Sequence, residues 1–496
     1  MVGDVRSVLT RPQSRPGDHK TSGRQLALLS AGFVAFAVAL GGYVAYMVIH
    51  PKGWTMDPVD LNVYRSGGLI VRHVRPYFDP HLAAPLYDWV GYGKLHLPFT
   101  YPPIAAIAFA LVSFVPYQLS LKLTVAVDLV ALLAAVWFTL GGLGYRRITV
   151  RLGATLLGAA AVLWTEPVLR TIYLGQVNLV LLALILWDLC QPDTDKSRWW
   201  KGFGTGIAAG IKLTPLIFIP YLIVARKFRQ AAMACAGFAF TVLLGFAVLP
   251  RDSTKWWFDG LFAQASRTGF AGWAGNQSLN GIITRLAGSI VGGRPAWIAA
   301  AVVVLAVGVV SAGLLDRKGY AMLGLLTAAL TGLLISPISW DHHWVWIVPG
   351  AVVAAHYAVQ AWRRGARKAA WALGLLAAAV VAWFGAWPTS LFHVNPPNLG
   401  TDSLGLVWIP KNTNPAWYEW YGDQRWFPEY HWHGLALITG NAYILAGLAL
   451  FGLLLAISLL LPSAGAQAAR PAGLGESEDL IENERVVVDP HRPAPS

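Results

Sequence analysis

Apolar residues run along this chain in long unbroken stretches, with neither the alternation of a strand nor the narrow stripe of a soluble helix. Twelve stretches stand out, at about 26–48, 102–115, 120–142, 152–166, 174–190, 203–224, 231–249, 296–315, 319–337, 344–361, 369–388 and 437–461. A helix of about 20 apolar residues covers the ~30 Å hydrocarbon core of a bilayer. Inside that core every backbone N–H and C=O must be satisfied within its own segment. The pattern therefore predicts an all-α polytopic membrane protein, a bundle of about 10–12 transmembrane segments. Two stretches have a reason to be irregular: 102–115 is short and opens with Pro102-Pro103, and 203–224 carries Lys212 and Pro215 in its middle. Non-helical backbone at membrane depth is tolerated where it is buried in protein or lines a wet cavity. The expected arrangement is ten full spans plus these two short or broken segments.

Charge refines the topology. The net charge is +13, but Lys and Arg fall in short clusters between apolar runs, the placement of orientation determinants and not of a nucleic-acid site. Residues 1–25, with Arg6, Arg11, Arg15, Lys20 and Arg24, read as a disordered cytoplasmic tail, so the first span runs outward. That span is longer than the apolar core of a signal peptide and is expected to be retained. A strict alternation of twelve spans would place Arg146, Arg147 and Arg151, and also Lys196, Arg198 and Lys201, outside. Treating 102–115 and 203–224 as broken returns both clusters to the cytoplasm. Residues 462–496 turn acidic and Pro-rich, a second disordered cytoplasmic tail, which leaves 26–461 as one integral-membrane domain. A hydrophobic content of 56% and a mean hydropathy of +0.51 agree with that class. Membrane lipids and an anionic lipid-linked substrate are the partners such a basic surface suits. Cys190 and Cys235 have neither disulfide nor metal-ligand spacing and are expected as free thiols.

On this topology the unusual polar groups gather on the outward side. The loop over 52–101 opens with Met56-Asp57-Pro58-Val59-Asp60-Leu61-Asn62-Val63-Tyr64-Arg65, two acids in a chain with only 25 among 496 residues. Asp57 suits a helix cap ahead of Pro58. Asp60, three residues on, cannot be the same cap and is the candidate for chemistry. Gln176 and Asn178, and Asn276, Gln277 and Asn280, form two amide-rich stretches that can bond sugar hydroxyls or bridge helices. Lys212 lies at membrane depth, where a cation either snorkels to a carboxylate such as Asp128 or Asp188 or meets a phosphate. Ser336-Pro-Ile-Ser-Trp-Asp-His-His-Trp344 supplies His342 and His343, of which at most one would face a site on a regular helix, with Asp341 to orient it. No histidine pair has metal-ligand spacing, so no metal or other cofactor is expected. The loop over 389–436 is rich in Trp and Tyr, which serves anchoring at the headgroups or sugar stacking alike.

Asp57-Pro-Val-Asp-Leu-Asn-Val-Tyr, Tyr101-Pro-Pro, Tyr173-Leu-Gly-Gln-Val-Asn, Gly210-Ile-Lys-Leu-Thr-Pro, Asn276-Gln-Ser-Leu-Asn-Gly and Ser336-Pro-Ile-Ser-Trp-Asp-His-His-Trp occur in that order. Over about residues 50–350 the chain resembles actinobacterial polyprenol-phosphate-mannose-dependent α-(1,2)-mannosyltransferases of the GT-C superfamily of membrane glycosyltransferases. The resemblance implies a GT-C-like bundle whose extracytoplasmic loops form the active site. It also implies transfer of mannose from polyprenyl phosphate mannose to a phosphatidylinositol mannoside, lipomannan or lipoarabinomannan. An Asp in the first outer loop would be the base, which maps onto Asp60, with Asp57 the alternative. The donor phosphate would then need cations or donors, a role open to His343, His342, Lys212 and Arg65, with Tyr64 and the amides at the sugar. Related enzymes use polyprenyl phosphate arabinose. Away from the resemblance, a lipid-linked sugar transporter or flippase, with the broken segments as gates, or a non-catalytic assembly partner, fits the same residues.

Overall fold

The computed structural model describes residues 22–49, 58–72, 86–87, 97–192, 198–385 and 427–462. Among them the regular structure is helical, and the only strand-like features are two isolated bridges, Thr165 with Gly385 and Asn276 with Trp340. Asp57 and most of the Trp-rich loop, including Trp408, Trp417, Trp420 and Trp426, lie outside the described residues.

Each of the twelve apolar stretches is helical. Six helices are long and apolar enough to cross a membrane: Gly23–Tyr46, Tyr117–Gly142, Phe228–Val248, Ile290–Arg317, Asp341–Arg363 and Ala442–Leu460. A seventh crossing is possible if Glu166–Leu174 and Asn178–Leu189, bent by 117°, count as one span. Shorter apolar helices stand beside these among the described residues, in keeping with an all-α polytopic bundle. Ile148–Leu163 has 16 residues, Ala321–Ile335 has 15 and Arg367–Trp383 has 17. At 1.5 Å per residue such helices reach only about 22–26 Å.

The two stretches singled out as irregular are so. The first is an 11-residue helix, Pro103–Ser113, begun by the proline pair. The second divides into Phe203–Ile211, a 3₁₀ turn at Thr214–Ile217, and Phe218–Val224, with Lys212 in extended conformation at the break. The lysine that looked too costly for a helix interior thus sits where the helix has stopped.

The interruption between Glu166–Leu174 and Asn178–Leu189 has a local cause. Gly175 ends the first helix at φ 68°, the left-handed region that L side chains rarely enter. A Cβ there would lie 2.7 Å from the Leu61 Cβ. Glycine therefore permits both the turn and the close approach of the short helix Val59–Val71. Two turns further along, that helix packs against Pro103–Ser113, where a Cβ at Gly68 would meet the Phe109 carbonyl at 2.5 Å. The helix carrying Asp60 is thus fixed at two points along its length without being a span itself.

Around this centre the long helices pair with their neighbours: Gly23–Ile49 with Ile148–Leu163, Phe203–Ile211 with Phe228–Val248, and Ile290–Arg317 with Ala321–Ile335. One apolar core of Leu, Val, Ile and Ala runs through these contacts. A smaller aromatic cluster of Tyr64, Tyr87, Phe99, Tyr101, Phe109 and Trp256 lies beneath the Asp60 helix.

Candidate active site

The Asp60 helix starts at Val59, with Pro58 at the N-cap position and not in the first turn. Asp60 and Tyr64, four residues apart, share a face. Tyr64 is buried, its ring stacked on Phe109 at 4.0 Å between centroids. Its hydroxyl donates to Gln176 Oε1 at 2.6 Å and lies 2.8 Å from the Tyr101 hydroxyl. With the amide oxygen so engaged, Gln176 has its NH₂ left for Asp60, whose ionised form it favours. Asp60 itself is half-buried. Burial pushes its carboxyl above the usual carboxylate range, opposed in turn by His342, the Gln176 hydrogen bond, Lys212 and Arg170. Three basic side chains therefore act electrostatically on this acid.

Those basic groups are built from three elements. His342 stands in a 3₁₀ turn, Asp341–Trp346, at the head of Ile347–Arg363. Asp341 Oδ1 accepts the His342 backbone N–H at 2.8 Å and faces ring Nδ1 at 3.0 Å, while Asp341 Oδ2 lies 3.4 Å from Arg170 Nε. Asp341 thereby holds the Nδ1–H, and the other ring nitrogen, Nε2, is buried with no protein hydrogen-bond partner. Lys212 Nζ donates to Asn178 Oδ1 at 2.9 Å and lies 3.0 Å from His343 Nε2. Asn178 in turn donates to the His342 carbonyl at 2.9 Å. The two imidazoles meet edge to face at 4.7 Å between centroids. A regular α-helix would turn one of them away; the 3₁₀ turn leaves both at the site with different work. His343 Nε2 is tied to Lys212, and each ring keeps one buried nitrogen without a protein hydrogen-bond partner, Nδ1 in His343 and Nε2 in His342.

Below Lys212, Asn178 and His343 lies a cavity whose remaining wall is apolar, with Leu181, Leu182, Ile217, Phe218 and Leu333 prominent. The arrangement thus offers a carboxylate on one side, a group of cations beside it, and apolar space beyond. Among the described residues no three His, Cys, Asp or Glu side chains form a group that could hold a metal ion.

Several residues expected at the site are elsewhere. Arg65, about 140° round the helix from Asp60, donates to the carbonyls of Val112 at 2.9 Å and Val115 at 2.5 Å, closing the end of Pro103–Ser113. Asn276 bonds to the Ala271 and Pro337 carbonyls and accepts from Ser339 N–H. Gln277 spans Ala274 and Gly440 and receives the Tyr443 and Ile444 N–H groups. Asn280 donates to Pro337 at 2.9 Å. These amides tie the 270–281 segment to the His342 turn and the last helix, and are fully used in doing so. Conversely Arg170, Tyr101, noted only at the head of Tyr101-Pro-Pro, and Glu166 border the site without having been expected as site residues. The first and last had a sequence signal: an acid and an arginine four apart lie on one helical face.

Residues 99–337 match glycosyltransferase family 87. The chain is 32% identical over 384 residues, 77% of its own length and 85% of the relative's, to a polyprenol-phosphate-mannose-dependent alpha-(1-2)-phosphatidylinositol pentamannoside mannosyltransferase of Mycobacterium tuberculosis. The chain belongs to glycosyltransferase family 87. Two further relatives are named polyprenol-phosphate-mannose-dependent alpha-(1-2)-phosphatidylinositol mannoside mannosyltransferase. One, from Mycobacterium tuberculosis, is 32% identical over 69% of this chain and 79% of its own. The other, from Mycolicibacterium smegmatis, is 34% identical over 66% and 75%. No solved structure matches. Membership of family 87 makes the chain a membrane glycosyltransferase, and the family match covers the Gln176, Lys212 and Asn276 segments and ends at Pro337, just before the His342 turn.

Proposed function

We propose that this family 87 enzyme transfers mannose from polyprenyl phosphate mannose to a phosphatidylinositol mannoside, forming an α-(1,2) linkage on the extracytoplasmic face. The observation that carries the reading is the half-buried Asp60, on which His342, Lys212 and Arg170 act electrostatically; the names of the relatives supply donor and acceptor. Asp60 takes the proton of the acceptor 2-hydroxyl as that oxygen attacks the anomeric carbon, and the bond to the phosphate breaks on the opposite face. One displacement inverts the centre, turning a β-linked donor into an α product. A phosphate leaves as a stable anion, so a second carboxylic acid is unnecessary; the leaving group instead needs positive charge and N–H donors. Lys212 supplies the charge, and His342, with Nδ1–H committed to Asp341, offers Nε2–H as the imidazolium. Gln176 keeps Asp60 oriented toward the acceptor. The apolar cavity beyond Lys212 suits the first isoprene units of the donor.

The test is purified Asp60→Asn with synthetic polyprenyl phosphate mannose and a panel of phosphatidylinositol mannoside acceptors, with polyprenyl phosphate arabinose as a parallel donor. Turnover is expected to fall by at least about a thousandfold while donor binding persists. Transfer near the wild-type rate would remove Asp60 from the chemistry, and preferential use of the arabinose donor would overturn the choice of sugar.

A further inference from the structure

The Lys212 ammonium is held by two neutral acceptors. An ammonium has three N–H bonds to give; one goes to Asn178 Oδ1 at 2.9 Å, and a second faces His343 Nε2 at 3.0 Å. The Asn178 amide has only one way round, because its NH₂ donates to the His342 carbonyl at 2.9 Å. His343 has an equally fixed part. A lone pair must stand on Nε2 for an ammonium to donate to it, so the imidazole is neutral and carries its one ring hydrogen on Nδ1. Its backbone is pinned as well, the N–H bonding to the Trp340 carbonyl at 2.8 Å. Lys212 lies where its own helix has ended, in extended conformation, so no regular helix aims its side chain. The two acceptors do. Being uncharged, they direct the ammonium without cancelling its charge, and one N–H is left over at the cavity that Asn178, Lys212 and His343 line together.

We propose that His343 is a positioning residue for the transfer reaction: with Asn178 it aims the Lys212 ammonium so that the remaining N–H meets the donor phosphate, and it binds no substrate itself. The inference rests on the reading of Lys212 given above. It divides the adjacent histidines by chemistry. A nitrogen that meets a phosphate oxygen needs a hydrogen to donate, as His342 Nε2 has in the imidazolium, whereas a nitrogen that steadies a lysine needs a lone pair. A lysine stem with four rotatable bonds loses much freedom when its end is fixed, and acceptors that fix it before the donor arrives remove that loss from the binding step. His343 therefore acts on the phosphate only through Lys212.

The experiment is a double-mutant cycle: His343→Leu, Lys212→Met and the two combined are assayed in steady-state transfer from synthetic polyprenyl phosphate mannose, beside His343→Gln, with thermal unfolding of each. A glutamine brings its amide oxygen near the place of Nε2 and still accepts, so His343→Gln is expected to stay within about threefold of wild type in kcat/KM for the donor. His343→Leu keeps the bulk and removes the acceptor, and is expected to lower that value about tenfold. In the Lys212→Met background the same change should cost less than about twofold, because its whole effect runs through the lysine. Additive losses would mean that His343 meets the substrate by itself, and the proposal fails. It fails equally if His343→Gln is as impaired as His343→Leu, or if His343→Leu shifts only the unfolding temperature. A Lys212→Met enzyme with normal kcat/KM overturns the underlying role of Lys212, a different result from additivity. Should His343→Leu not fold, NMR of the wild-type protein with isotope-labelled histidine carries the test: the ring signals that vanish in His343→Gln should be those of a neutral imidazole protonated at Nδ1, and an Nε2–H or imidazolium signal overturns the proposal.

Discussion

Two buried polar clusters in this protein are made of nearly the same materials and differ in what they leave unpaired. One surrounds Asp60, with Gln176, Asn178, Lys212, His342 and Arg170. The other joins Asn276, Gln277, Asn280, Arg285 and Asn441. In the second, Arg285 Nη1 donates to the Trp273 carbonyl at 2.9 Å, while Nη2 reaches the Asn276 carbonyl at 3.1 Å and the Asn441 side chain at 2.6 Å. Burial pulls the Arg285 guanidinium down to about 9, with Glu429 opposing, yet no polar side-chain atom of those five residues is orphaned. In the first cluster His342 Nε2 is buried without a protein hydrogen-bond partner, and three basic side chains act on one acid. A satisfied network holds helices together; one that keeps a buried donor or acceptor unpartnered marks a candidate binding site.

The largest expected difference comes from emptying the satisfied cluster. Arg285→Ala strands the Trp273 and Asn276 carbonyls and the Asn441 amide, at about 1–3 kcal/mol for each buried group, and should cost about 3–5 kcal/mol of stability. Thermal unfolding measures it, and kcat of the folded fraction should be unchanged. A large loss of kcat without unfolding would erase the contrast between the clusters.

Lys212→Met probes the other side. It should weaken turnover about tenfold to a hundredfold through the donor phosphate, with a small change in unfolding temperature. It also has a defined sign with pH. The Asp60 carboxyl already titrates above the usual range through burial, and Lys212 is one of the groups that lowers it. Activity requires the ionised acid, so the acid limb of kcat/KM in the wild-type enzyme should lie above about pH 4. Removing the lysine should move that limb to still higher pH. A limb that stays in place would mean that some other group titrates there.

Smallest is Gly175→Ala, which forces a left-handed residue to carry a Cβ against Leu61. About 1–2 kcal/mol of stability is expected to be lost. Turnover should fall with it, because the flanking residues touch both Asp60 and Lys212.

The division between these clusters was only partly legible in the sequence. Apolar run length located the long helices but not short ones such as Val59–Val71 and Leu279–Ala287, and the chemistry of Lys212 and Pro215 marked a helix break, because lone charges and missing N–H groups have the same consequences in any fold. Asp60 stood out because acids are scarce in this chain. What the sequence could not separate was Gln176 from Gln277, since identical amides differ only in their partners. Gln176 is turned toward Asp60 by Tyr64 and Tyr101, and Gln277 is consumed by Gly440 and Tyr443, residues 163 and 166 positions away. Glu166 escaped for the same reason, its tyrosine partner coming from the last helix. The 117° bend was not legible either, because length along the chain cannot reveal that a stretch turns at a glycine.

That bend also works as a caliper. Gln176 serves Asp60 and Asn178 holds Lys212, and only one residue of a single backbone turn stands between the two amides. The spacing of those amides is therefore dictated by bonded geometry, and sliding or tilting of the long helices does not enter it. Changes in bilayer thickness or lipid composition should alter how readily substrates arrive, and leave the jaws of the caliper at the same opening.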